Sequence, residues 1–239
     1  MILLAIETAT DRASVAIGTG AADAVEREIV GARRHAAELL PAIESLLAAA
    51  GLGLGDVSGL AVSDGPGSFT GLRVGAAVAK ALARARDLPL WTAPSLLVRA
   101  SGVARPGDTV LAVANALRGE VYAAAYRFGE GAIQELLAPS VYRPEDLMAR
   151  RLSVDHLVGE VPPAIAVALE SSLGRALVAP PEGAPRARAL IGLVNRPGGV
   201  QRIVAVEGWE PVYGRPAEAQ ARWETAHGRP LPDSIGHPG

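Results

Sequence analysis

Ser63-Asp64-Gly65-Pro66-Gly67-Ser68-Phe69-Thr70-Gly71-Leu72-Arg73-Val74-Gly75 is the stretch on which the reading of this chain turns. Ahead of it, Gly59-Leu60-Ala61-Val62 has the apolar run of a short buried strand; behind it, an alanine-rich segment to Arg86 has the composition of a helix. A glycine-rich turn from strand to helix gathers free backbone N–H groups where the helix dipole favours negative charge. Gly65 and Gly67 allow positive φ, Pro66 stiffens the turn, and Ser68 or Thr70 can cap the helix. Two readings stay open on geometry alone: an anion cradle, or a tight turn whose glycines admit close packing. It is not a Walker loop, because no Gly-Lys-Ser/Thr follows.

The string from Gly65 to Gly75 closely resembles the signature of the TsaB (YeaZ) family, bacterial proteins needed to make threonylcarbamoyladenosine in tRNA. Leu3-Leu4-Ala5-Ile6-Glu7-Thr8-Ala9-Thr10 resembles that family's first strand and turn, and Arg34-His35-Ala36-Ala37-Glu38-Leu39-Leu40-Pro41-Ala42-Ile43 its first helix. Arg118-Gly119-Glu120-Val121-Tyr122 is similar to the start of its second half. Glu210-Pro211-Val212-Tyr213-Gly214-Arg215-Pro216-Ala217-Glu218-Ala219 is similar to its closing segment. The likeness covers roughly residues 1–224 and is weakly diagnostic between about 140 and 205.

Composition narrows the classes. The chain has 239 residues, 49% hydrophobic and 20% charged, enough for one large domain or two small ones with a substantial core. Aromatics are only 4%, so that core is built from Ala, Val, Leu and Ile. A net charge of −2 argues against gripping nucleic acid alone through a broad basic face. With no cysteine there is no disulfide, thiolate metal site or cysteine nucleophile, which fits a reducing cytoplasm. The opening Met1-Ile2-Leu3-Leu4-Ala5-Ile6 meets Glu7 at once and is too short for a signal peptide or a membrane span. A cytoplasmic protein without membrane contact is expected.

Periodicity predicts a repeated plan. Met1–Thr8 and Ala13–Gly18 read as a hairpin, and Ala24–Val30 as a third, partly exposed strand. Apolar positions 36, 39, 40, 43, 47 and 50 trace one helical face, interrupted by Pro41 and stopped at Gly51. The strand at 59–63 and the helix at 70–86 follow. The second half repeats the order: strands at Thr109–Ala114, Glu120–Arg127 and Ile133–Leu137, a helix at Arg143–Arg151, a strand at His156–Val158. Helices at Pro163–Ser172 and Arg186–Val194 complete it. Leu4-Ala5-Ile6 and Leu111-Ala112-Val113 echo each other. The halves are expected as subdomains at 1–104 and 105–224, with a flexible tail at 225–239.

The resemblance implies an α/β fold of the actin/hexokinase-like (ASKHA, RNase H-like) type, two related βββαβα subdomains. It implies a non-catalytic scaffold that partners the transferase TsaD and a TsaE-like ATPase, meets tRNA only through that complex, and forms a homodimer when alone. Residues expected at the partner surface are Leu39, Leu40, Ile43, Leu47, Leu72, Arg73, Gly75 and Val78, on two helices with surplus apolar surface. In phosphate-transferring members of the actin-like superfamily, the first hairpin carries an acidic residue. Glu7 stands in that place, and with Thr8, Gly65, Gly67, Ser68 and Thr70 forms the candidate anion- or nucleotide-binding set.

The alternative reading, a nucleotide-dependent enzyme of that superfamily, has to contend with the second hairpin. Asn115-Ala116-Leu117-Arg118 stands where the family usually has Asp-Ala-Arg, and Gly192, Gly198 and Gly199 make no convincing adenosine motif. A metallopeptidase is less favoured still, since His35, His156, His227 and His237 are nowhere paired at helical spacing. No catalytic residue, metal or cofactor is assigned, and Ser68 is read as a helix-start residue.

Overall fold

A computed structural model describes residues 1–31 and 34–214. The expected tail at 225–239 and part of the closing segment fall outside these.

The first sheet begins with β1 (Leu3–Glu7), β2 (Arg12–Gly18) and β3 (Val25–Val30), a meander in which each neighbour is antiparallel. α1 (His35–Ala49) then crosses to β4 (Gly59–Ser63), parallel to β1, and α2 (Phe69–Arg86) leads to β5 (Leu90–Ala93), parallel to β4. After α3 (Ser95–Ser101) the chain repeats itself. β6 (Thr109–Asn115), β7 (Val121–Phe128) and β8 (Ile133–Tyr142) form the second meander. α4 (Pro144–Ala149), β9 (His156–Glu160), α5 (Pro163–Leu173) and β10 (Leu177–Val178) complete it. The strand orders β5-β4-β1-β2-β3 and β10-β9-β6-β7-β8 are the same permutation, which is the doubled βββαβα plan of the actin/hexokinase-like fold.

The halves are not confined to 1–104 and 105–224. α6 (Ala187–Val194) packs on β1 and β2, and β11 (Gln201–Ile203) adds to the first sheet beside β5. We propose the crossing between α3 and β6 as the point where one lobe gives way to the other.

Period-two alternation sorts β1 and β6 into layers. Leu4 and Ile6 pack with Leu39, Ile43, Leu46 and Leu47 of α1 and Ala79 of α2, while Leu3 and Ala5 face α3 and α6. On β6, Val110 and Ala112 share that central layer, and Leu111 and Val113 pack outward with Leu147 of α4 and Leu169 of α5. The order is thus α1/α2, sheet, α3/α6, sheet, α4/α5. Among the described residues no helix is long and apolar enough to cross a membrane.

Among the details that differ from the sequence reading, four have a plain physical reason. α3 was not anticipated, because Ser95 through Ala100 are all buried and a helix buried all round has no apolar stripe to detect. β5 is a four-residue strand without alternation, equally silent. β8 runs to Tyr142 instead of Leu137, since Pro139 lies on an edge strand where its missing N–H is tolerated. α1 continues through Pro41, which is exposed and does not end it.

Candidate functional site

The glycine loop lies where predicted, between β4 and α2, with Ser68 as the N-cap: its Oγ accepts a hydrogen bond from Gly71 N at 3.2 Å. The cradle, however, is filled by the chain itself. The turn after β1 reaches under the start of α2, and Ser68 N donates to Ala9 O at 2.7 Å. A Cβ at Gly67 would overlap Ala9, one at Gly71 the carbonyl oxygen of Thr8, and one at Gly75 the Thr8 hydroxyl. On the other side a Cβ at Gly65 would overlap the carbonyl oxygen of Val212, and Val212 N donates to Asp64 O at 2.6 Å. Ser95 anchors the loop by donating N–H to Gly65 O at 2.8 Å and its hydroxyl to Pro66 O. The glycines are therefore explained by backbone approach from two directions.

Beneath the loop lies a sealed polar cluster. Glu7 and Thr8 are completely buried and Ser63 nearly so. Glu7 Oε1 accepts from Ala9 N at 2.6 Å; its Oε2, the Thr8 hydroxyl and the Ser63 hydroxyl make no hydrogen bond of good geometry. Burial pushes the Glu7 carboxyl up to about 7, and Asp64 adds to the rise. The Ala9 N–H, the neighbouring Ser63 hydroxyl and Arg99 oppose it. Arg99, on α3, is itself 3% exposed, donates to Gly183 O at 2.6 Å, and is lowered to about 10 by burial against the fields of Glu160 and Glu7.

These residues do not fit a metal-bound nucleotide. A carboxyl that burial raises to about 7 and that has no exposed surface is a poor partner for a divalent ion, and Thr8, Ala9 and Val212 of the chain itself stand against the loop's glycines. Of the six candidate anion-site residues, Glu7, Thr8 and Gly65 are buried. Gly67 and Ser68 are half-buried and Thr70 is exposed on the first turn of α2. At the second hairpin Asn115 Oδ1 accepts from Leu117 N at 2.9 Å, closing an exposed turn. Among the described residues no group of three or more His, Asp or Glu side chains could hold a metal. His35 is buried, and His156 pairs with Asp108 at 3.0 Å.

The eight expected partner-surface residues divide. Leu39, Ile43, Leu47 and Leu72 are at most 6% exposed and belong to the chain's own core, as does Gly75 against Thr8. Leu40 is 51% exposed, Arg73 is exposed, and Val78 is half-buried. Three and four residues apart along α2, Val74, Ala77, Val78, Ala81 and Leu82 form a half-exposed stripe of small apolar groups. One flank of α2 carries residues 204–214, a packing that the sequence reading, which named the closing segment from Glu210, did not foresee. Lys80 Nζ donates to Glu207 O and meets Glu210 at 3.0 Å, with Trp209 alongside, and Phe69 packs on Tyr213 with the Arg73 guanidinium over the Phe69 ring. The aromatic spacing Trp209–Tyr213 was the available signal.

Comparison with known proteins decides the family. The model for TsaD, tRNA N6-adenosine threonylcarbamoyltransferase, matches residues 28–172. The structure titled YeaZ from Pseudomonas aeruginosa aligns at 30% identity, covering 80% of this chain and 89% of that one, with a TM-score of 0.66. The chain belongs to the TsaB (YeaZ) family. Among curated members of the family, the Escherichia coli tRNA threonylcarbamoyladenosine biosynthesis protein TsaB is 38% identical over 135 residues, 56% of this chain and 58% of that protein. The chain thus spans little more than half the length of that relative. The Bacillus subtilis TsaB is 26% identical over 93% of this chain and 98% of its own length.

Proposed function

We propose that the protein is a non-catalytic scaffold subunit for threonylcarbamoyladenosine modification of tRNA. It would work beside a TsaD-like transferase and a TsaE-like ATPase, reach tRNA only through that assembly, and act in the cytoplasm. The observation that supports the non-catalytic part is the close approach of the chain to its own loop: Thr8 and Ala9 stand against Gly67, Gly71 and Gly75, and Glu7 is shut away beneath them. The role in tRNA modification rests on the family.

The surface that would dock is the α1–α2 face, now carried by Leu40, Arg73, Val74 and Val78 in place of the buried leucines. Alone, the chain would cover this face with a second copy. A stable pair buries on the order of 1,200–2,000 Å², and two helices of 15 and 18 residues can supply much of it. Leu40→Glu and Val78→Glu are expected to leave melting unchanged within a few degrees and to give a monomer in sedimentation. The same variants are expected to lose threonylcarbamoylation in a reconstituted system. A wild-type monomer at high concentration, or full modification by both variants, removes this face from the proposal. Micromolar ATP binding by the isolated chain in calorimetry would remove the non-catalytic reading instead.

A further inference from the structure

Residues 204–214 follow β11 without helix or strand and run along α2 as a strap. Val212 N donates to Asp64 O at 2.6 Å and pins one end to the glycine loop. Lys80 Nζ donates to Glu207 O at 3.2 Å and pairs with Glu210 at 3.0 Å, while Tyr213 packs on Phe69 with ring centroids 4.6 Å apart. On the reading of the α1–α2 face as the self-association surface, we infer that this strap is the second wall of that face. A second copy of the chain seats its own α2 in the trough between α1 and the strap, against Trp209 and Tyr213.

Helical spacing sets out the trough. Phe69, Arg73 and Lys80 fall on the strap side of α2, whereas Val74, Val78 and Leu82 fall on the other side and pack with the α1 leucines. Between the two sides runs an exposed ridge that carries only the methyl groups of Ala77 and Ala81. The middle of the face is therefore low, and another helix backbone can approach it closely. The walls are α1 and the strap.

The strap supplies what the helices lack. With Leu39, Ile43, Leu47 and Leu72 turned into the core, the helices offer this face aliphatic groups such as Leu40, Val74 and Val78, the last two already half-buried. Stable pairs bury on the order of 1,200–2,000 Å² and draw much of their binding energy from a few aromatic and arginine anchors. Of the three Trp, four Tyr and two Phe in the chain, Phe69, Trp209 and Tyr213 fall together along this flank, each only half-buried and with the exposed Arg73 beside them. Val204 and Val212 of the strap are exposed as well. Because its own hydrogen bonds already fix the strap, little ordering is left for an arriving partner to impose. Self-pairing also needs a surface that complements itself about a two-fold axis. Exposed Glu207 and Glu210 give the strap negative charge, and exposed Arg73 and Arg84 give the open side of α2 positive charge, so the face carries both halves of the match.

The chain has no cysteine, so a single introduced thiol reports on one place. Glu207→Cys and Val212→Cys on the strap are labelled with a maleimide in the full chain, across a dilution series that spans the dimer midpoint found by sedimentation. Val167→Cys on α5, at a position 62% exposed, is the control. Labelling at 207 and 212 is expected to slow several-fold on the dimer side of the midpoint, with no change at 167. Trp209→Ala is expected to weaken dimerisation about tenfold or more. Should that variant melt well below the wild type, the thiol labelling carries the test alone. Equal rates at 207 and 212 on both sides of the midpoint overturn the inference, as does a well-folded Trp209→Ala that pairs as tightly as the wild type. Protection that appears only when a TsaD-like transferase is added overturns the second copy as occupant. Val78→Glu separates the strap from the helices. A monomeric Val78→Glu with an unprotected strap in the wild-type dimer removes the strap and keeps the helix face; a dimeric Val78→Glu with a protected strap removes the helix stripe and leaves the strap. A wild type that stays monomeric removes both.

Discussion

The first and second halves share a strand order and differ most at the turn between their first two strands. In the first half, Thr8 and Ala9 are clamped under α2, whose glycines 67, 71 and 75 leave the space for them. In the second half, the turn after β6 is open: Asn115, Leu117, Arg118 and Gly119 are exposed. One plan therefore yields a sealed junction and a free one. The difference teaches that glycines at a strand-to-helix turn are selected as readily by a neighbouring backbone as by a phosphate.

The largest effect that would break this comparison is at Glu7. Its folded value of about 7 lies above the ordinary 4.5, so the native state holds the proton more tightly than the unfolded chain does. Stability from this group is fully present below pH 4.5 and is lost as pH rises through 7, about 3 kcal/mol in all. Glu7→Gln is expected to remove that slope. The variant should match the wild type in urea unfolding near pH 5 and exceed it by pH 8, and parallel pH profiles for the two proteins would mean the junction is not sealed.

Next come the glycines. On helix propensity, Gly71→Ala and Gly75→Ala would each gain about 0.5–1 kcal/mol. Because a Cβ at either site meets Thr8, each is instead expected to lose about 1–3 kcal/mol in denaturant unfolding. Gly131→Ala in the second half, where a Cβ meets nothing, is the control and is expected to stay within about 0.5 kcal/mol. Stabilisation by Gly75→Ala would reopen the reading in which that helix face is free.

The smallest effect sharpens the open side. Leu117 is 58% exposed and held at φ 62°, a left-handed conformation that costs a leucine about 1 kcal/mol. Leu117→Asn is expected to raise stability by about 0.5–1 kcal/mol, seen as a small rise in melting temperature, with no packing lost. A loss instead would mean that the second turn has contacts of its own to protect.

How much was legible follows from range. Alternation and helical spacing placed the first meander, α1, α2 and most of the second half, because these are patterns of near neighbours. The loop's sequence carried the family. α3 and β5 were missed because burial on every side erases the contrast on which periodicity depends. Of the candidate site, the glycine loop was foreseen and its cap narrowed to Ser68 or Thr70, but the approach of Thr8 and Ala9 was not.

What the sequence determined by itself was the doubled order of elements and the family, written in local spacing and in one specific string. Only the tertiary structure decided which way the apolar leucines of α1 face, and that Thr8 fills the cradle. Those outcomes depend on contacts between residues far apart in the chain, whose free energy comes from excluding water and backbone from a shared volume. No spacing along a single strand of sequence encodes that volume.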